Sequence, residues 1–354
     1  MSEPLVIARQ GYLFAGGKYV EIDGKKTLAG QLYAEFQIPE NLTCPYPVIM
    51  VHGGSQSGTN YTGTPDGREG WAQHFLHRGY AVYVVDQVGR GRAAYHPDPC
   101  GPVRHPDLDG AQQRFVAIER DKLWPQAALH TQWPGAAAPG DPIFDQFFAS
   151  QLPTIADFTR QQELNRDALI ALIDKIGPAI LLTHSQSGAF GWPVADARPD
   201  QVKALIQAEP SGPPFYDVGL EYLGPPEYYR AGAKSRPWGL CSVPLTYDPP
   251  GMPEAVQEKD SDGPGLARGW LQAEPPRKLP NLMRVPILIV SAEASYHATY
   301  DHLTVKYLEQ AGVKPHVMRL ADLGIKGNGH MLQLESNNHE IARVMLHWLT
   351  ETLG

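Results

Sequence analysis

From about residue 47 onward the chain alternates continuous apolar runs with amphipathic stretches. Pro47-Val48-Ile49-Met50-Val51, Tyr80-Ala81-Val82-Tyr83-Val84-Val85, Ala179–Leu182, Ala204–Ala208 and Pro286–Val290 are apolar at successive positions. That is the pattern of strands buried on both faces. Helix-like segments lie between them: Arg68 to Arg78, the long amphipathic Ile155–Ile176 and the short Gly188–Ala197. A strand near Pro315–Leu320 and a helix over Glu340–Thr352 finish the chain. The first forty residues differ, because Leu5–Ala8, Tyr12–Phe14, Tyr19–Ile22 and Gln31–Gln37 are short β-forming stretches set off by Gly-Gly and Asp-Gly turns, an antiparallel beginning to the sheet. The sum predicts an α/β fold: a mostly parallel, doubly wound sheet of about eight strands, with sites just beyond the carboxyl ends of the strands.

Two segments break this rhythm. Residues 93 to about 152 carry PDPCGP, LWPQ, QWPG and IFDQFF, and residues 210–286 hold fifteen of the 33 prolines. Both are too long for plain connections. Their Pro and Gly forbid long elements while their aromatic residues favour burial, so they are expected to be ordered insertions capping the strand ends of a single domain spanning 1–354.

With 354 residues, 42% of them hydrophobic, the chain can bury a large core. The formal charge of −8, without a basic cluster, argues against nucleic-acid or anionic-membrane partners. A small molecule is the expected ligand, and a homodimer is left open as a protein partner. No basic-then-apolar leader begins the sequence, and Cys44, Cys100 and Cys241 are too few and too scattered for a disulfide framework or a CxxC metal site. A cytoplasmic protein with no metal or organic cofactor is therefore expected.

The chemistry centres on Thr183-His184-Ser185-Gln186-Ser187-Gly188, between a strand and a helix. A sharp strand-to-helix turn lifts one side chain above the sheet beside a helix N-terminus that favours negative charge, and it demands small residues two positions either side. Ser185 has Thr183 and Ser187 as those neighbours; Ser187 would have Ser185 and Ala189. Size does not choose between them, but with the apolar run ending at Leu182, Ser185 falls at the turn and Ser187 in the helix. After the first buried strand, His52-Gly53-Gly54-Ser55 offers unobstructed backbone N–H groups for an oxyanion, Gly54 first and Ser55 second, with Gln186 as the other donor.

Among 13 histidines, His330 in Gly327-Asn328-Gly329-His330-Met331 sits in a loop able to return to the strand ends. His339 starts the last helix, and His52 and His184 are tied to strand ends. The orienting acid is contested. The usual position after the next-to-last strand falls near Ser295, which cannot serve; Glu293 lies nearer that strand, and Glu209, directly after Ala204–Ala208, is preferred. Tyr95, Trp124, Phe147, Phe148 and Tyr216, with Ser55, are candidate pocket lining.

With HGGS, DQVGRGR (Asp86–Arg92), THSQSG, AEP and GNGHM in this order, the chain resembles the α/β-hydrolase superfamily over essentially its whole length. It is most similar to a bacterial serine esterase group with an H-S-Q-S-G elbow and a glutamate after the following strand. That group is exported and has adjacent cysteines in the oxyanion loop, where this chain has Gly54-Ser55. The resemblance implies a triad of Ser185, Glu209 and His330 and hydrolysis of a small to medium apolar or aromatic ester through an acyl-enzyme. The same triad would serve a lactonase, an amidase or a C–C bond hydrolase, and a ligand-binding receptor with a relict triad is the rival from another class.

Overall fold

The computed structural model describes residues 4–217, 234–258 and 260–354. Its main sheet has eight strands: β1 (Ile7–Ile22), β2 (Lys25–Pro39), β3 (Val48–Val51), β4 (Val82–Asp86), β5 (Ala179–His184), β6 (Val202–Ala208), β7 (Ile287–Ser291) and β8 (His316–Arg319). Their order is β1-β2-β4-β3-β5-β6-β7-β8. The β1–β2 and β2–β4 pairs are antiparallel and the pairs from β4 to β8 are parallel. The expected sheet is thus present, with its antiparallel beginning.

The apolar runs show no alternation because both faces of each strand are covered. Ile49, Val51, Val85, Leu181, Leu205 and Ile289 face one core. Their neighbours Val48, Met50, Val84, Ile180, Leu182, Ile206 and Leu288 face the other. The first core is completed by Leu169, Leu172 and Ile173 of α3 (Phe158–Ile176) and by Trp192 and Val194 of α4 (Gly188–Ala197). The second is completed by Trp71 and Phe75 of α1 (Trp71–His77) and Ile341, Met345 and Leu349 of α6 (Asn338–Leu353). At about 1.5–3 kcal/mol for each large apolar side chain buried, this two-sided burial is the main source of stability. The start of α3 is fixed by Asp157, whose carboxylate accepts the N–H groups of Thr159 and Arg160.

Three features differ from the sequence expectation. The several short strands before residue 40 are one hairpin of 16- and 15-residue strands. Gly16 and Gly17, which read as a turn, instead sit within β1 at φ 73° and 79°. A Cβ on Gly16 would stand 2.7 Å from Ala168 Cα, so this glycine lets the hairpin lie against α3. A helix, α5 (Asp301–Gln310), connects β7 to β8 where the sequence had not suggested one. Within 93–152 there is also one longer helix, α2 (Pro142–Ala149), capped by Asp141. The expected second insertion, 210–286, falls partly on residues 218–233 and 259, outside the described residues; in the rest, Ala255–Gln257 and Trp270–Gln272 pair as a small antiparallel ribbon.

Candidate active site

The carboxyl ends of β3, β5 and β6 lie side by side, and the residue types there are held in an uncommon conformation. Ser185 directly follows β5 with φ 55°, Glu209 directly follows β6 with φ 47°, and Ser55 follows β3 with φ 56°. A non-glycine residue in this left-handed region costs energy and persists only where its surroundings enforce it. Close packing enforces it here: a Cβ on Gly188 would stand 2.5 Å from Pro210 Cβ, so the start of α4 is pressed against the turn carrying Glu209. The small neighbours of Ser185 are tied down by hydrogen bonds. Thr183 Oγ1 bonds Gln207 Oε1, while Ser187 Oγ donates to Val51 O (2.7 Å) and accepts the His184 N–H (2.9 Å). Ser187 is fully buried and Ser185 is not. Of the two serines, therefore, Ser185 is the one open to a ligand.

His330 comes from the loop between β8 and α6, and its Nδ1–H donates to Glu209 Oε2 at 2.5 Å. The same oxygen accepts from Ser295 Oγ (2.7 Å), and Oε1 accepts the Ala292 N–H (2.8 Å). Ser295, at the place where the usual acid would fall, thus holds the Glu209 carboxylate that follows the neighbouring strand. Burial, reinforced by the Asp301 charge, pushes the Glu209 carboxyl well above the usual range, against these hydrogen bonds. Burial and then the His184 and His297 charges push the His330 imidazole well below its ordinary value, so the ring is a neutral base at neutral pH. Among the described residues its Nε2 has no hydrogen-bond partner, and His330 borders the cavity that Ser185 lines. The ring orientation is further fixed by His184, whose Nε2 hydrogen-bonds His330 O (2.8 Å), and by stacking with Phe115 and His297 at centroid separations of 5.6 and 4.8 Å.

The other histidines and the second acid lie elsewhere. Glu293 accepts the Gly327 N–H at 2.8 Å, steadying the loop that leads to His330 without reaching its ring. His52 is buried, with Nε2 accepting the Gln87 N–H, and His339 is exposed beside His74.

The glycine loop lies directly over the elbow: a Cβ on Gly53 would be 3.1 Å from Ser185 Cβ and 3.0 Å from His184 Nδ1. Gly54 and Gln186 both line the cavity. Behind them is Arg90, 3% exposed, from the DQVGRGR stretch. Its guanidinium donates to Gly53 O (2.8 Å), Gln186 Oε1 (2.5 Å) and Thr154 Oγ1, and no carboxylate among the described residues pairs with it. Burial, with the Arg104 charge, pulls its pKa down to about 9, which leaves it a cation at neutral pH. The Gly53 carbonyl and the Gly54 N–H belong to one planar peptide, so anchoring the oxygen sets the direction of the N–H. Asp86 holds the same loops from below, accepting the N–H of Gly58 (2.7 Å) and of Arg92 (3.0 Å).

A cavity of about 520 Å³ opens over this constellation. Of the six proposed lining residues only Ser55 borders it. The exposed Tyr95 donates its hydroxyl to Gly101 O, and Trp124 is buried one layer back, donating to Ala294 O and packing on Tyr296. Phe147 and Phe148 pack into the insertion itself with Phe144, and Tyr216 packs on Trp270. None of these five aromatic residues reaches the cavity, whereas Phe115 of the first insertion does. Residues bordering the cavity that the sequence did not single out include Tyr296, whose ring centroid lies 4.7 Å from that of His330, and His297, whose Nδ1 donates to Asp301 (2.9 Å). The signal was the His-x-x-x-Asp spacing, which on a helical turn brings the pair together.

Glu209, His297 and His330 are the described residues whose donor atoms cluster as a metal site would, within 4.8 Å of one another. The two imidazoles are, however, parallel to within 4°, and each Nδ1 is engaged by a carboxylate. Lone pairs in parallel planes do not converge, so the cluster is arranged for hydrogen bonding rather than for a shared ion.

Residues 48–344 match the alpha/beta hydrolase family. Along 345 residues the chain is 43% identical to a probable secreted lipase, phiG, of Fungal sp. (strain ATCC 74256), covering 96% of this chain and 88% of that protein. Over 178 residues it is 29% identical to lipase LipV of Mycobacterium tuberculosis, covering 49% of this chain and 63% of that one. The solved structure of a novel bacterial esterase superposes with a TM-score of 0.67 at 21% identity, covering 100% of this chain and 99% of the other, which identifies the fold.

Proposed function

Since the chain belongs to the alpha/beta hydrolase family, we propose that it is a serine carboxylic-ester hydrolase with Ser185, His330 and Glu209 as its triad. One observation carries the reading: His330 is hydrogen-bonded through Nδ1 to Glu209, its Nε2 has no partner among the described residues, and it lines the same cavity as Ser185. The relative named as a lipase, at 43% identity, supports ester chemistry. The same name calls that protein secreted, which weighs against the cytoplasmic expectation for this chain.

In this mechanism Ser185 Oγ attacks the ester carbonyl as its proton passes to His330 Nε2. Glu209 holds the tautomer that leaves Nε2 free and stabilises the imidazolium. The Gly54 and Gln186 N–H groups receive the negative charge on the carbonyl oxygen. The C–O bond to the alcohol breaks, the leaving oxygen takes the proton from His330, and the acyl group stays on Ser185. Water then attacks the acyl carbon, giving its proton to His330, and the carboxylic acid leaves as Ser185 is re-protonated. Glu209 and His330 are both buried, which keeps the hydrogen bond between them away from bulk water.

Ser185→Ala should abolish turnover of a p-nitrophenyl ester and labelling by a fluorophosphonate while the circular dichroism spectrum is unchanged. Full activity in that variant would refute the assignment. A panel of lactones, amides and β-diketones run beside the ester identifies any same-triad activity that exceeds esterolysis.

A further inference from the structure

The cavity over Ser185 is lined by three arginines in a chain whose net charge is −8: Arg104, Arg114 and Arg236. Arg236 is neutralised by Asp217, 2.6 Å away, which borders the same cavity. Arg104 and Arg114 are different. Among the described residues neither forms a salt bridge, and neither donates a hydrogen bond. Arg104 is held in place by its stack on Phe158, with the guanidinium 4.8 Å from the ring centroid. Its backbone belongs to the short strand Val103–Arg104, paired with Thr154–Ile155, and Thr154 is one of the acceptors of Arg90. Arg114 precedes Phe115, the residue stacked on His330. Both arginines are thus attached to parts that also position the site.

Their charges act on one another and on the cavity floor. Arg104 and Arg114 are both exposed to solvent; partial desolvation of the Arg104 guanidinium against its neighbours and then the Arg114 charge draw its pKa down, with Asp217 opposing. Arg114 also acts on Tyr296, which borders the cavity beside His330. Three acidic side chains share the lining: Asp217, paired with Arg236, and Asp107 and Asp109, which do not act on Arg104 and of which Asp107 accepts the Gly110 N–H (2.6 Å). Two like charges left facing one aqueous cavity repel each other, and an anion between them relieves that repulsion while filling empty donor sites. An apolar acyl chain would do neither.

We propose that the enzyme acts on esters bearing a second, anionic group, a carboxylate, which Arg104 and Arg114 bind while the scissile carbonyl sits over Ser185. This inference rests on the serine esterase reading above and adds the substrate class. The carboxylate can belong to the acyl or to the alcohol half, and two matched pairs of synthetic esters separate these. The acyl pair is the 4-nitrophenyl half-ester of adipic acid against 4-nitrophenyl hexanoate. The alcohol pair is the acetate ester of 3-(4-hydroxyphenyl)propanoate against that of 4-propylphenol.

The measured quantity is the ratio of kcat/KM, anionic over neutral, for each pair, in the full-length enzyme and in Arg104→Gln and Arg114→Gln. At least one pair should show a ratio above about ten, falling on the order of tenfold in each variant, since a hydrogen bond to a charged group is worth about that factor or more. The wild-type ratio should also fall as ionic strength rises, a measurement that needs no variant. Ratios at or below one for both pairs, or a ratio that neither substitution moves, would overturn the proposal while leaving the esterase reading intact. Absence of Ser185-dependent turnover of every ester, neutral ones included, would instead overturn the esterase reading, and this inference with it.

Discussion

Replacing Arg90 by Met keeps most of the side-chain length and removes the guanidinium that braces both proposed oxyanion donors. Three buried acceptors lose a donor: Gly53 O, Gln186 Oε1 and Thr154 Oγ1. At about 1–3 kcal/mol for each buried group left unsatisfied, the gross cost is about 3–9 kcal/mol. Against this, an unpaired cation is no longer held out of water, a relief of several kcal/mol. Thr154 Oγ1 also retains the Gln161 donor (2.8 Å), and Gly53 O retains His52 Nδ1 (2.9 Å). The net loss of stability should therefore be small. Catalysis has no such offset, because the Gly53–Gly54 peptide and Gln186 lose their anchor and the developing oxyanion loses a nearby positive charge. Loss of one oxyanion donor costs about 10²–10³ in kcat, and the surviving His52 bond sets the expectation at the lower end, about 10². Steady-state hydrolysis of a p-nitrophenyl ester, with thermal unfolding followed in parallel, should show kcat reduced on that scale, KM little changed and the fold retained. Arg90→Lys restores the charge but not the fork, and should recover only part of the rate. A folded Arg90→Met enzyme with kcat within about threefold of the parent would refute the bracing role, since a donor engaged only in the transition state must appear in kcat.

Three further outcomes separate roles within the site. Glu209→Gln should lower kcat by about 10³–10⁴, because an amide no longer enforces the tautomer that leaves Nε2 free, whereas Glu293→Gln, which among the described residues bonds the Gly327 N–H, should change kcat little; a larger loss in Glu293→Gln would reverse the choice of acid. Ser187→Ala should stay active but unfold more readily by about 1–3 kcal/mol, since the His184 N–H and Val51 O lose their buried partner; unchanged stability with lost turnover would exchange the two serines. The acid limb of kcat/KM should lie below the ordinary histidine pKa of about 6.5, because burial favours neutral His330, and a limb at or above that value contradicts it. Stability should move with pH in the same sense. His52 and His184, drawn down to about 3 and about 4 by burial, take up protons in the unfolded chain before they do in the folded one, so their contribution is lost as pH falls below about 6.5.

The sheet was readable because burial on two faces leaves an unambiguous signature, a run without alternation, and strand length then placed Ser185 rather than Ser187 at the turn. In the structure β5 ends at His184, two residues beyond the apolar run, because Thr183 and His184 continue the ladder with Gln207 and Ala208. Glu209 was accessible to the same reasoning, since it follows a buried run directly. The pocket was not accessible. Its walls come from contacts far apart in sequence, such as Trp124 Nε1 to Ala294 O, and local periodicity carries no record of them. Aromatic character alone did not separate lining from interior residues: Phe144 and Phe147 meet Met331 in the insertion's own core, while Phe115 of the same insertion, with Arg104, Arg114 and several glutamines, faces the cavity. Arg90 stood inside a stretch noted in the sequence, yet its role depends on Gln186, 96 positions away, and no spacing announces that.

Ser55, Glu209 and Ser185 share left-handed backbone angles along one rim of the sheet. At about 1–3 kcal/mol each, the three together approach the whole stability of an ordinary domain, about 5–15 kcal/mol. The rim is consequently the part of the molecule that gains most by relaxing. Mild heating should relax it while the two-sided interior stays folded, so heat inactivation would precede melting. Amide exchange at this rim would likewise outpace exchange in the centres of β5 and β6, and the local endurance of the rim, rather than global unfolding, would set the enzyme's working temperature.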